Sequence, residues 1–157
     1  MTKEKIRNIL FVCTGNSCRS VMAEGLLKKM LKDRGRSDIE VHSAGISAMD
    51  GFPPTDKTAA VMKKEGIDLS DFKTARLTLG MIQKADLMLV MDYMHREEIL
   101  NFAPDAGDKI HLLKEYVGVN DGYGGVTVPD PIGRPLEVYE RVLTTIKKAL
   151  EKLMERL

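Results

Sequence analysis

The sequence predicts an α/β fold around a parallel sheet. Two observations carry this. Short apolar runs, such as ILFV at 9–12 and DLMLVM at 86–91, have the length and composition of strands covered on both faces. Between them lie longer segments whose apolar residues recur at helical spacing, many of them bounded by Gly, Asn or Pro. Strand–helix alternation implies three layers: a central four-stranded parallel sheet flanked by helices. A length of 157 residues suits one domain, taken as 1–157, with a full hydrophobic core.

The elements follow in order. Residues 5–12 form the first strand, ending at Cys13-Thr14-Gly15-Asn16. From Ser20 the residues Met22, Leu26, Leu27, Met30 and Leu31 lie on one helical face, and Gly35 stops the helix. Residues 38–43 alternate as a second strand, and ISAMDGFPP at 46–54 is a loop. Thr55 caps a helix reaching Glu65, with Val61 and Met62 inward and Gly66 as terminator. Residues 68–76 are irregular, and 79–84 form a short helix. The third strand is 85–91, a brief helix occupies 95–101, and the fourth strand is 109–113. Residues 118–135 make a long loop rich in Gly, Pro and Asp, of the kind that is usually functional or disordered. A closing helix at 135–157 aligns Val138, Val142, Ile146, Leu150, Leu153 and Leu157.

Composition narrows the function. Formal net charge is +1, which gives no electrostatic case for nucleic acid or a membrane surface. No apolar run is long enough to span a bilayer, and residues 8–12 are too short for a secretory leader. The expectation is a soluble cytoplasmic protein and a monomer. Two cysteines cannot build a disulfide framework. Both lie in VCTGNSCRSV, after the first strand, where parallel sheets bind ligands.

A curled loop entering a helix is an anion cradle, because backbone N–H groups and the helix dipole face one point. Gly15 and Asn16 tolerate the left-handed angles such a curl needs. Arg19 adds a fork able to bind two phosphate oxygens. Cys13, at the floor, is flanked by donors that favour its nucleophilic thiolate. C-x5-R-S therefore reads as a thiolate beneath a phosphate site. By itself the pattern is weak. The cysteines could instead be packing residues or half a zinc site, but no His-x-His or Cys-x-x-Cys spacing supports zinc. No metal or cofactor is expected.

VCTGNSCRSVMAE resembles the V-C-x-G-N-x-C-R-S-P-M-A-E signature of the low-molecular-weight protein tyrosine phosphatases. HSAGIS at 42–47, ADLMLVMD at 85–92, KIHLLKEYVG at 109–118 and VPDPIGRPLEVYE at 128–140 extend the resemblance over nearly the whole chain. It implies hydrolysis of phosphorylated protein substrates through a cysteinyl-phosphate. Cys13 would be the nucleophile. Arg19 and the N–H groups of Thr14, Gly15, Asn16, Ser17 and Cys18 would bind phosphate, and Asp130 would be the general acid, fixed by Pro131. Asn16, Ser20 and Ser43 would support the loop. The resemblance also allows a reversible Cys13–Cys18 disulfide, against which stands simple packing of Cys18.

Three features depart from the tyrosine-specific pattern. Ile132 and Gly133 stand where aromatic residues would flank a phosphotyrosine ring. Ser17 is small and polar, like the threonine of the family's bacterial protein arginine phosphatases, so Ser17 and Ile132 are the expected substrate rim. Val21 replaces a proline at little cost. Phosphotyrosine comes first and phosphoarginine second. Arsenate reductase, on the same fold, is disfavoured because no cysteine follows Cys18.

Overall fold

The computed structural model describes residues 5–157; the first four residues of the expected 1–157 domain lie outside it. Strands β1 (Asn8–Cys13), β2 (Glu40–Gly45), β3 (Leu87–Val90) and β4 (Ile110–Leu112) pair in parallel in the order β2-β1-β3-β4. Strand side chains alternate between the two faces. Ile9, Phe11 and Cys13 of β1, with Leu87 and Leu89 of β3, pack on one side. There they meet helices α1 (Arg19–Asp33), α2 (Asp56–Lys64), α5 (Leu113–Val117) and α6 (Leu136–Met154). Leu10, Val12, Met88 and Val90 face the other side, toward α3 (Leu79–Lys84), α4 (Tyr93–Phe102) and a 3-10 helix at Pro104–Lys109. These are the three layers the sequence predicts. Among the described residues no helix is long and apolar enough to cross a membrane.

Boundaries differ where caps and packing override the apolar runs. Ala85 is the C-cap of α3, which shortens the third strand at its start. Helix α4 begins before His95, because the Asp92 side chain accepts from the Met94 N–H as its N-cap. The expected cap at Thr55 is present, its hydroxyl accepting from the Thr58 N–H. Leu113, assigned to the fourth strand by its hydrophobicity, instead opens α5, an unexpected helix ended by Gly118 in the left-handed region. Leu157 lies beyond α6 but still packs on its core.

Helix α5 buries a charge. Lys114 is fully enclosed, 2.8 Å from Asp121 Oδ1, and it also donates to the Tyr123 carbonyl. The Thr145 hydroxyl of α6 donates to the other Asp121 oxygen. Burial pushes the Asp121 carboxyl up, but the Lys114 and Thr145 hydrogen bonds outweigh it and hold the group far below the usual range. This pair fastens the start of the 118–135 segment to two helices. Lys114→Met strands the Asp121 charge and is expected to cost about 3–5 kcal/mol in urea unfolding. Adding Asp121→Asn should recover part of that loss.

Candidate active site

The sheet order reverses beside β1, since β2 lies on one side of it and β3 and β4 on the other. Ligands bind α/β sheets at the carboxyl end of such a switch point. Cys13 is the last residue of β1, and α1 starts at Arg19. The intervening loop holds a fixed curl. Asn16 is fully buried with φ 53°, the left-handed angle expected of it.

The side chain of Asn16 is completely used. Its Nδ2 donates to Ser20 Oγ at 2.8 Å and to Ser43 Oγ at 2.9 Å, while Oδ1 accepts from the Ala75 N–H at 2.9 Å. Each serine accepts from the amide and so keeps its own proton to donate. Ser43 passes it to Glu24 Oε1, at 2.9 Å. Ser20 lies 2.9 Å from Cys13 Sγ, placed to donate to the sulfur. The three expected loop-supporting residues thus converge, and Glu24 and the Ala75 backbone join them without having been foreseen.

The backbone is polarised in one sense. Carbonyls of Cys13, Thr14 and Ser17 accept from the N–H groups of Ile46, Ser47 and Thr55. Among the described residues, no backbone N–H of residues 15–19 donates to another protein group. A loop whose carbonyls are taken up by neighbouring segments, whose N–H groups are left unpaired and which runs from a cysteine into a helix can serve as an anion cradle. Gly45 permits this close approach, since a Cβ there would lie 2.6 Å from the Thr14 carbonyl oxygen and 2.8 Å from the Asn16 nitrogen.

Arg19 is almost fully buried. Its Nη1 donates to the Val128 carbonyl at 3.0 Å, and Nη2 lies 3.7 Å from Asp130 Oδ2. The Val128 N–H in turn bonds the Met91 carbonyl at the end of β3. The Asp130 carboxylate is 44% exposed, and its Oδ1 accepts from the Ile132 N–H. The late loop therefore brings Asp130 to the cradle from more than a hundred residues away. Ile132 is exposed, and Ser17 is half-buried. The 46–54 loop, stitched to the cradle through Ile46 and Ser47, presents Met49 and Phe52, both more than half exposed. Sequence reading left these two apolar groups unassigned.

Cys13 and Cys18 are both buried free thiols. Cys18 Sγ donates weakly to Tyr139 Oη at 3.8 Å and lies 3.6 Å from Thr55 Oγ1. His95 is likewise enclosed, with Nε2 2.9 Å from Thr14 Oγ1. Burial, followed by the nearby Arg19 charge, pulls its pKa down to about 4.

The family model for low molecular weight phosphotyrosine protein phosphatase matches residues 8–157. A protein-arginine-phosphatase of Geobacillus stearothermophilus is 35% identical, covering 95% of each chain. A solved low molecular weight protein tyrosine phosphatase from T. tengcongensis superposes with a TM-score of 0.88 at 41% identity, over 96% of this chain and 99% of that one. A solved arginine phosphatase mutant carrying a phosphorylated active-site serine matches with TM-score 0.87 and 33% identity, over 96% of this chain and 95% of that one. The chain belongs to the low molecular weight phosphotyrosine protein phosphatase family, whose members are cysteine-dependent phosphatases.

Two outcomes test this geometry. Gly45→Ala should displace the cradle by a fraction of an ångström to an ångström and lower kcat/KM by up to about 10²-fold, with the fold retained by circular dichroism. His95 is neutral in the fold, but the unfolded chain takes up its proton first. Stability is therefore lost as pH falls from about 6.5 to about 4, by up to about 3 kcal/mol. Unfolding of wild type and His95→Gln between those pH values should show a shallower slope in the variant.

Proposed function

We propose that this protein hydrolyses phosphotyrosine on proteins through a cysteinyl-phosphate intermediate. One observation carries the reading: the N–H groups of residues 15–19, unpaired among the described residues, lie in the loop that leaves Cys13, and Arg19 at the end of that loop faces Asp130. The cradle holds the three non-bridging phosphate oxygens. Cys13 Sγ attacks phosphorus opposite the leaving oxygen, and Ser20 stabilises the thiolate. Arg19 and the N–H groups gather the charge that spreads over the equatorial oxygens. The S–P bond forms as the P–O bond to the phenol breaks, and Asp130 protonates the departing oxygen. Asp130 then accepts a proton from the water that attacks phosphorus, which releases inorganic phosphate and regenerates the Cys13 thiolate. Residues 1–157 act as a single phosphatase domain, and a monomer suffices because one chain supplies every group. A thiolate nucleophile suits a reducing compartment, so the reading places the enzyme in the cytoplasm.

Phosphoarginine is the second reading, and the rim favours it. Ser17 offers a small hydroxyl where an aryl ring would need apolar packing, and Ile132 supplies no aromatic face. Met49 and Phe52 support the first reading, since they are the exposed apolar groups of the loop bonded to the cradle. In the second reading Asp130 protonates the guanidine nitrogen as the P–N bond breaks.

Cys13→Ser should abolish phosphate release. Asp130→Asn should slow it by about 10²–10⁴-fold while phosphate still binds. Full turnover by Cys13→Ser would refute the mechanism. Specificity is read from kcat/KM on matched phosphotyrosine and phosphoarginine peptides for wild type, Ser17→Thr and Ser17→Ile. Preference for phosphoarginine that is lost in Ser17→Ile would establish the second reading. Preference for phosphotyrosine would establish the first.

A further inference from the structure

His95 has no part in the chemistry above, yet it reaches the cradle. It sits in the first turn of α4, its backbone N–H bonded to the Asp92 carbonyl, and its ring is fully buried. Nε2 lies 2.9 Å from the hydroxyl of Thr14, the residue after Cys13. Nδ1 is equally buried and meets no hydrogen-bond partner among the described residues.

The two nitrogens select a tautomer. A proton on Nδ1 would be a buried N–H without an acceptor, carrying its full desolvation penalty. A proton on Nε2 leaves Nδ1 only a bare lone pair, the lesser cost. Nε2–H therefore donates and Thr14 Oγ1 accepts. The Thr14 hydroxyl keeps its own proton, and Oγ1 has no other protein partner among the described residues. Thr14 is partly exposed and directly precedes the residues whose N–H groups are unpaired among the described residues.

We propose that His95 is a positioning residue which, by donating to Thr14 Oγ1, aims the Thr14 hydroxyl proton at a phosphoryl oxygen in the cradle. The ring of backbone donors thereby gains one side-chain donor. The charged groups around the ring are consistent with a single proton on it. Burial and Arg19 oppose a second, and Asp92 and Asp130 only partly offset them. A cationic ring would also leave a charged Nδ1–H unpaired.

The proposal rests on the phosphatase reading, and the experiment separates the two. Inorganic phosphate affinity is measured by calorimetry, and p-nitrophenyl phosphate turnover by absorbance. Wild type, Thr14→Val, Thr14→Ser, His95→Phe and the Thr14→Val/His95→Phe double variant are compared. Thr14→Val should weaken phosphate binding about tenfold and lower kcat, and Thr14→Ser should recover most of both. His95→Phe should weaken phosphate binding in the wild-type background and add no further loss in Thr14→Val. Phosphate affinity and kcat in Thr14→Val equal to wild type would overturn the proposal. So would a His95→Phe loss that adds fully to that of Thr14→Val, since a purely structural histidine behaves that way. If His95→Phe does not fold, His95→Gln takes its place: its amide N–H can donate to Thr14 Oγ1, so phosphate affinity should stay near wild type, and a loss that adds fully to that of Thr14→Val would overturn the proposal. Absence of wild-type turnover would count against the phosphatase reading, and the phosphate affinities would still decide the role of Thr14.

Discussion

The buried side chain of Asn16 holds the site together. It occupies a left-handed backbone position that few residues accept, and it is tied at every polar atom to Ser20, Ser43 and Ala75. Those three partners belong to α1, β2 and the segment before α3. The curl of the cradle is therefore set by the packing of the whole sheet edge rather than by loop preference. Because the serines accept from one amide, the same arrangement decides which way their protons point, toward Cys13 on one side and Glu24 on the other. A loop with N–H groups facing inward is costly to hold empty, and this network offsets that cost in advance of any substrate.

Arg19 joins two parts of the molecule that fold far apart in sequence. One nitrogen holds the Val128 carbonyl and the other faces Asp130, so Arg19 ties the loop that carries Asp130 to the start of α1. Lys114 and Asp121 secure the far end of that loop from inside the core. A segment without regular structure is in this way fastened at both ends by buried charge.

Much of this was legible in sequence, and the exceptions share a cause. ILFV and DLMLVM declared themselves as strands by their apolar continuity, and Cys13, Arg19 and Asp130 through spacing and resemblance. Arg19 faces Asp130, and Ser20, next to Arg19, meets the Cys13 sulfur. What stayed hidden depends on partners distant in sequence. Lys114, in LLKEYV, looks like any solvated lysine until Asp121 and Thr145 enclose it. The same segment continues an apolar strand pattern, so the turn into α5 has no local signal. His95 becomes notable only because α4 places it beneath Thr14. Met49 and Phe52 are ordinary loop residues until backbone bonds pin their loop to the cradle.

The attachment of the 118–135 segment has a consequence for how the molecule fails. The cradle is embedded in the sheet, whereas the 118–135 segment has one backbone bond to the end of β3, from the Val128 N–H to the Met91 carbonyl, and is held elsewhere mainly by side chains: Val128 in the core, Arg19, and Asp121 between Lys114 and Thr145. Segments so held open before the global fold does. Gentle heating or mild denaturant would then remove the acid while leaving the anion site intact. In that state the protein would capture phosphorylated side chains and shield them from other enzymes, so a weakened catalyst would become a sequestering agent before it became an unfolded chain.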